Sequence, residues 1–281
     1  MRNNQMEIRP ISGALGAEIL GVDFAAGVDD ETFDRIRTTF HEHGVIVIRD
    51  QDLTPEQHVA TARRFGRINV NRFFTAVDGH PEIAEVRKEP HQKRNIGNKW
   101  HTDHSYDDAP ALGSMIYALE VPPVGGDTMF ANMSLAWETL SDGMKDMLSK
   151  LQAVHSSRHV FGPGYKANPD VADRFRNPEQ AVQDAVHPVV IRHPDTGRRV
   201  LYVNPTFTVR FDGWTEEESR PLLDYLYAHA SRPEFSCRVQ WREGSLGLWD
   251  NRATWHLALN DYPGHRRLMH RVTIEGTALS A

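Results

Sequence analysis

The chain has 281 residues, of which 40% are hydrophobic and 25% are charged, a composition typical of a globular protein with a sizeable core. Its formal net charge of −6 argues against a nucleic-acid-binding protein, which usually carries a basic face. The single cysteine, Cys237, excludes an intramolecular disulfide and a thiolate metal cluster. The sequence shows no apolar run long enough for a membrane span and no signal peptide, so we expect a cytoplasmic protein.

Hydrophobic periodicity, capping residues and turn signals predict short strands interrupted by helices. In the first half they predict strand segments within 8–24, a helix from Asp29 or Asp30 to about Glu42, a strand at 45–48, a helix from Thr54 to Gly66, and strands at 99–103 and 113–119. The intervening stretch at 69–97 is irregular and rich in charge, which suits either a lid over a site or a plain surface excursion.

The second half continues the same pattern. It predicts a strand at 127–131, helices at 136–140 and 143–151, an insertion loop at 159–182, a hairpin of 189–192 with 200–203, a helix at 216–231, and strands at 235–239, 245–249, 254–258 and 268–274. Closely spaced short strands with covering helices indicate a mainly β fold with flanking helices. We therefore expect a single domain over residues 1–281 with a double-stranded β-helix, or jelly-roll, core.

The pattern most suggestive of chemistry is His101-Thr102-Asp103. In an extended strand, side chains two residues apart project to the same face, so an imidazole and a carboxylate would share one space. They are two members of a 2-His-1-carboxylate triad, which leaves coordination positions open on a non-haem Fe(II). The candidate for the missing imidazole is His256, so the fold must bring distant segments together.

Two further residues suit a small dicarboxylate near such a metal. Arg267 follows a turn signal at 261–264, and Thr128 follows the paired glycines at 125–126. One end of the dicarboxylate would chelate the metal, and the other would meet the planar guanidinium through two parallel hydrogen bonds. Two alternatives stay open: a zinc-dependent hydrolase with the same donors, and a non-catalytic jelly-roll binding protein whose histidines are merely buried.

Over nearly its whole length the sequence resembles the taurine and 2,4-dichlorophenoxyacetate dioxygenases, which are Fe(II)- and 2-oxoglutarate-dependent oxygenases. The motifs appear in the family's order and at its spacings. They are Trp100-His101-Thr102-Asp103, Gly125-Gly126-Asp127-Thr128, Trp249-Asp250-Asn251-Arg252 and Arg266-Arg267-Leu268-Met269-His270-Arg271, together with Gly16-Ala17-Glu18-Ile19-Leu20-Gly21-Val22-Asp23 and Arg63-Arg64-Phe65-Gly66.

The resemblance implies a catalytic metal site with three iron ligands, namely His101, Asp103 and His256. It further implies that Thr128 and Arg267 hold the cosubstrate 2-oxoglutarate and that dioxygen is the oxidant. The activity implied is hydroxylation of an unactivated C–H bond in a small anionic organic substrate, with release of succinate and carbon dioxide. Dimers and tetramers are common in the family, so we expect a homo-oligomer.

Departures from the family pattern concern the substrate. Arg271 matches the arginine that meets the sulfonate in the taurine enzyme, and Phe207 matches an aromatic pocket residue. The taurine enzyme's histidine and tyrosine that help to hold taurine correspond to Asn71 and Phe74, and one of its asparagines corresponds to Gly97. These changes predict a larger and more apolar pocket, for an aryloxyalkanoate, an alkyl sulfate or a sulfonate other than taurine. The family match also places His104 in the pocket, although an ideal strand would point it away.

Overall fold

The structure is a computed structural model that describes residues 6–162, 170 and 173–281. Its strands are β1 (Glu7–Pro10), β2 (Ala17–Leu20), β3 (Val45–Ile48), β4 (Ile68–Asn69), β5 (Ala76–Val77), β6 (His80–Lys88), β7 (Gly113–Glu120), β8 (Thr128–Asn132), β9 (Gln152–Ser156), β10 (Asp184–Pro188), β11 (Val190–Arg192), β12 (Arg199–Leu201), β13 (Thr208–Phe211), β14 (Ser236–Val239), β15 (Leu246–Asp250), β16 (Thr254–Ala258) and β17 (Arg267–Ile274). Its helices are α1 (Asp30–His43), α2 (Pro55–Arg63), α3 (Met133–Glu138), α4 (Asp142–Leu148), α5 (Arg158–Phe161) and α6 (Glu216–Ala230), with short 3₁₀ helices at Pro178–Gln180 and Pro233–Phe235.

Two sheets form the centre of the fold. In the part of the chain that the structure describes, the large sheet has nine strands in the order β1-β2-β3-β15-β7-β17-β6-β5, with β4 paired to β17. Its strands pair antiparallel except for β2 and β3, which are parallel. The small sheet has the order β14-β8-β16. The prediction of a mainly β jelly-roll core is confirmed.

The apolar core between these sheets takes side chains from both of them. Val47, Ile116 and Met269 come from the large sheet, and Phe130 and Val239 come from the small one. All five are buried in one cluster. Because each buried side chain of this size contributes about 1.5–3 kcal/mol, this layer holds the two sheets face to face.

Helix α1 covers the outer face of the large sheet, as its sequence predicts. The Asp29 side chain accepts a hydrogen bond from the backbone at the N-terminus of the helix. At the other end Gly44 has a φ of +69°, and its N–H donates to the carbonyl of Phe40. Ile36 and Phe40 are fully buried in a cluster with Ile46 of β3. Among the described helices, none combines the length and apolar character that crossing a membrane requires.

The prediction of an irregular stretch over 69–97 is wrong for β6, which pairs with β17 over residues 83–88. Ile83 and Ala84 of β6 are buried, but charged neighbours obscure the alternation in the sequence. Arg87, for example, forms ion pairs with Glu85 and Glu89. The predicted insertion loop at 159–182 contains part of α5 and a 3₁₀ helix, and its residues 163–169 and 171–172 lie outside the described residues.

Candidate metal centre and active site

The backbones of His101 and His256 pair with each other. His101 N donates to His256 O at 3.0 Å, and His256 N donates to His101 O at 2.8 Å. This is an isolated antiparallel bridge between a connecting segment and β16. It sets the spacing of the two imidazoles, whose ring centroids lie 4.0 Å apart.

Asp103 reaches the same space through a turn. The predicted strand over 99–103 is wrong, because only His101 is bridged and residues 103–106 form a turn. His104, at a φ of +60°, lies within that turn and therefore lines the cavity beside Asp103. Nevertheless, the carboxylate oxygens of Asp103 lie 3.8 Å from His101 Nε2 and 3.9 Å from His256 Nε2. The three side chains converge as expected, but Asp103 reaches the site through the turn after the bridge and not along a strand.

The protonation states suit a divalent metal. His101 Nδ1 lies 2.8 Å from the carbonyl of Lys99, which only accepts, so Nδ1 carries the proton and Nε2 offers a lone pair. Burial lowers the pKa of His101 and puts that of His256 well below its ordinary value, so both rings are neutral near pH 7. Burial opposes ionisation of Asp103, but Arg271 and the two imidazoles bring its pKa below the ordinary value. Two neutral imidazoles and one carboxylate, with donor atoms within 4.8 Å of one another, fit a 2-His-1-carboxylate centre.

Arg267 and Thr128 lie on adjoining parts of the cavity wall. Arg267 is the first residue of β17 and is 5% exposed, with its Nε donating to the carbonyl of Gly126 at 3.1 Å. It forms no ion pair with any residue that the structure describes. Burial lowers its pKa, yet a guanidinium stays charged, so this buried cation needs an anion. Thr128 Oγ1 lies 2.9 Å from Trp241 Nε1.

A cavity of about 620 Å³ joins these groups. The structure brings all of the predicted site residues to its wall: Asn71, Phe74, His101, Asp103, His104, Thr128, Phe207, His256, Arg267 and Arg271. Arg271 occupies an unexpected position there, with Nη1 lying 3.3 Å from both carboxylate oxygens of Asp103. Its guanidinium also lies 4.5 Å from the centre of the Phe74 ring.

Comparison with known proteins assigns the chain to a family. The family model described as "Taurine catabolism dioxygenase TauD, TfdA family" matches residues 7–273. The chain belongs to this family. The expected resemblance is therefore confirmed, and the protein is a dioxygenase, an oxidoreductase.

Individual relatives in the TauD/TfdA family match over most of their length. The chain is 34% identical over 275 residues to an alkylsulfatase of Acinetobacter baylyi, covering 97% of this chain and 86% of the relative. It is 31% identical over 276 residues to an alpha-ketoglutarate-dependent sulfate ester dioxygenase of Pseudomonas putida, covering 97% and 90%. The crystal structure of a taurine dioxygenase from Burkholderia xenovorans matches with a TM-score of 0.83 and 35% identity, covering 98% and 93%.

In this TauD/TfdA member, a polar chain forms one corner of the cavity. Asn71 Oδ1 accepts hydrogen bonds from the backbone N–H groups of Phe73 and Phe74, so its Nδ2 faces His104 Nε2 at 3.2 Å. His104 Nε2 therefore accepts, and Nδ1 donates to Asp107 Oδ2 at 3.0 Å. The orientations of the Asn71 amide and of the His104 ring are both determined by their hydrogen bonds.

Further aromatic residues extend the apolar wall of the pocket; of these the sequence indicates only Tyr106 as a possible pocket residue. Phe161 stacks on Phe73 with ring centroids 4.5 Å apart, and Phe175 lies 4.9 Å from Phe74. Tyr106 packs 4.9 Å from Phe207. Phe161 and Phe175 come from the predicted insertion loop, where no periodic pattern marks them, so only the tertiary structure reveals their position.

Gly97 contacts the metal site directly, which its sequence position did not indicate. Its φ is +76°, and a Cβ at this residue would lie 3.1 Å from His101 Cε1. From the sequence, this glycine is expected to enlarge the substrate pocket. The structure shows a second effect, because the absence of a side chain lets the backbone approach the His101 imidazole.

Proposed function

We propose that this protein is an Fe(II)- and 2-oxoglutarate-dependent dioxygenase that hydroxylates a C–H bond of a small organic anion and releases succinate and carbon dioxide. The observation that carries the proposal is a buried guanidinium, Arg267, which has no ion pair among the described residues and lines the same cavity as the triad of His101, Asp103 and His256. A zinc hydrolase would use the triad but leave Arg267 without a function.

The metal would be held by His101 Nε2, His256 Nε2 and the Asp103 carboxylate, whose protonation states already suit it. Iron supplies the dioxygen chemistry for which protein side chains have no equivalent. The protein positions the metal ligands, because the backbone bridge between the two histidines sets their spacing. The aromatic wall limits access of water to the same space.

Arg267 and Thr128 would hold 2-oxoglutarate. The guanidinium suits the far carboxylate through two parallel charge-assisted hydrogen bonds. Trp241 Nε1 can only donate, so Thr128 Oγ1 accepts from it and keeps its own proton for a ligand oxygen. Both side chains are therefore oriented to donate into the cavity, as an anionic cosubstrate requires.

Arg271, Asn71 and His104 would form the polar end of the substrate site. Arg271 Nε is buried and has no hydrogen-bond partner in the part of the chain that the structure describes, and the Asn71 amide has a second N–H besides the one facing His104. Phe74 and Phe207 line the apolar remainder. A polar end beside an apolar wall supports a substrate that has an anionic group and an apolar chain. The two relatives named for sulfate ester chemistry support an alkyl sulfate or sulfonate, with an aryloxyalkanoate as the alternative.

We further propose that residues 1–281 act as one catalytic domain. Strands from both ends of the chain, β1 and β17, belong to the same sheet, and residues from 71 to 271 line one cavity. Assembly into a dimer or tetramer, the absence of nucleic-acid binding and a cytoplasmic location stay predictions from the sequence.

The test is substrate-dependent formation of succinate by protein reconstituted with Fe(II) under argon and then given oxygen. The panel comprises alkyl sulfates, sulfonates, aryloxyacetates and aryloxypropionates. Asp103→Ala should abolish metal binding and succinate formation together, while Asp146→Ala, which alters an exposed carboxylate on α4, should leave both unchanged. Zinc-supported turnover without oxygen, or full activity of Asp103→Ala, would refute the proposal.

A further inference from the structure

A closed ring of three hydrogen bonds lies behind the Asp103 carboxylate. Asp103 N donates to Asn251 Oδ1 at 3.3 Å, Asn251 Nδ2 lies 3.3 Å from Ser114 Oγ, and Ser114 Oγ lies 2.8 Å from Asp103 Oδ2. Ser114 and Asn251 are at most 1% exposed. The ring therefore joins the backbone and the side chain of one residue through two fully buried polar neighbours.

The proton of Ser114 has only one direction available in this ring. The indole N–H of Trp249 can only donate, and it lies 3.0 Å from Asn251 Oδ1, so this oxygen faces Trp249 and the Asp103 backbone. Asn251 Nδ2 then donates to Ser114 Oγ. Because that bond uses the acceptor side of the hydroxyl, Ser114 gives its own proton to Asp103 Oδ2.

The Ser114 bond is what distinguishes the two oxygens of Asp103. The imidazoles lie at similar distances from them, 3.8 Å from His101 to Oδ1 and 3.9 Å from His256 to Oδ2. Arg271 Nη1 lies 3.3 Å from each oxygen, so it also favours neither. Without the hydroxyl, either oxygen or both would be equally available to a metal.

We propose that Ser114 and Asn251 are positioning residues that keep Asp103 Oδ2 engaged, so that Oδ1 is the oxygen presented to the metal. This inference rests on the proposed metal centre. A carboxylate that binds through both oxygens occupies one more coordination position, and the triad is useful because positions stay open. The ring thereby preserves room on the metal for other ligands.

The experiment uses Mn(II) alone as the probe and water-proton relaxation as the readout, which counts exchangeable waters on the bound ion without turnover. Ser114→Ala removes the hydroxyl and should reduce this count by about one. Ser114→Thr retains a hydroxyl and should restore the count. Asn251→Ala frees the Ser114 hydroxyl to rotate and should change the count in the same direction as Ser114→Ala. Changes to such supporting residues weaken metal affinity by about 10–100-fold, so every count is made at saturating Mn(II).

The matched control is Thr273→Val. Thr273 is opposite Ser114 in the register of β17 and β7, is 1% exposed, and its hydroxyl has no hydrogen-bond partner among the described residues. The Thr273→Val variant should leave the number of exchangeable waters on the bound Mn(II) unchanged. An unchanged count in folded Ser114→Ala, or the same loss in Thr273→Val, would overturn the inference. Failure of the unmodified protein to bind Mn(II) would instead refute the metal centre itself.

Discussion

Replacing Arg267 by alanine removes the one buried guanidinium that forms no ion pair beside the metal site, among the residues described. Each hydrogen bond to a charged group contributes about 1.5–3 kcal/mol, and a tenfold change in affinity corresponds to about 1.4 kcal/mol. Loss of a single such bond should therefore weaken 2-oxoglutarate binding by roughly 10- to 100-fold, and loss of a bidentate pair by more.

Calorimetric titration of the Mn(II)-loaded protein with 2-oxoglutarate measures this affinity without turnover. The matched control is Arg266→Ala, which removes the same charge at the preceding residue. Arg266 pairs with Glu89 and Glu120 and does not line the cavity. Arg266→Ala should bind 2-oxoglutarate as the parent does. An Arg267→Ala affinity within about twofold of the parent, well below the tenfold that one such bond supplies, would refute the assignment.

Three further changes test other parts of the site. Arg271→Ala should weaken alkyl sulfate binding at least about tenfold and leave 2-oxoglutarate binding nearly unchanged, so equal losses of both ligands in titrations would contradict it. Gly97→Ala should reduce Mn(II) affinity about tenfold by displacing His101, whereas Gly79→Ala, at the same φ of +76° but with no atom within 4 Å of its Cβ, should not. Burial, assisted by His270, lowers the pKa of His58 to about 3, whereas the unfolded chain protonates near pH 6.5. His58 alone should therefore lower the unfolding free energy of metal-free protein by up to about 1.4 kcal/mol for each pH unit below 6.5, the buried rings of His101 and His256 should add to this fall, and a flat denaturation profile between pH 7.5 and 5 would exclude it.

Capping residues, turn signals and hydrophobic periodicity predicted most of the helices and strands, because each of these signals depends on residues only a few positions apart. The caps at Asp29 and Thr54 and the left-handed Gly44 mark helix ends through hydrogen bonds that the sequence itself specifies. Strand β6 was not predicted because Glu85, Arg87 and Glu89 give this stretch a run of charges and its buried residues do not alternate, whereas its strand structure depends on pairing with the distant β17.

The site was predictable to the extent that its residues lie in short motifs. His101, Asp103 and His256 were found together, but the local strand inferred for the first two was wrong because the bridge involves only His101. The contact of Arg271 with Asp103 depends on side chains brought together from segments far apart in sequence, and that of Gly97 with the nearby His101 depends on the left-handed backbone at Gly97, which residue type alone does not specify.

The walls of the cavity differ in origin. His256, Thr128, Arg267 and Arg271 belong to strands, whereas Phe161 comes from the short helix α5 and Phe207 from the connecting segment before β13. Exchange of these segments with those of a related enzyme should redirect which compounds are oxidised while the rate of cosubstrate decarboxylation stays the same. Substrate selectivity and the rate of cosubstrate decarboxylation could then be engineered separately in this fold.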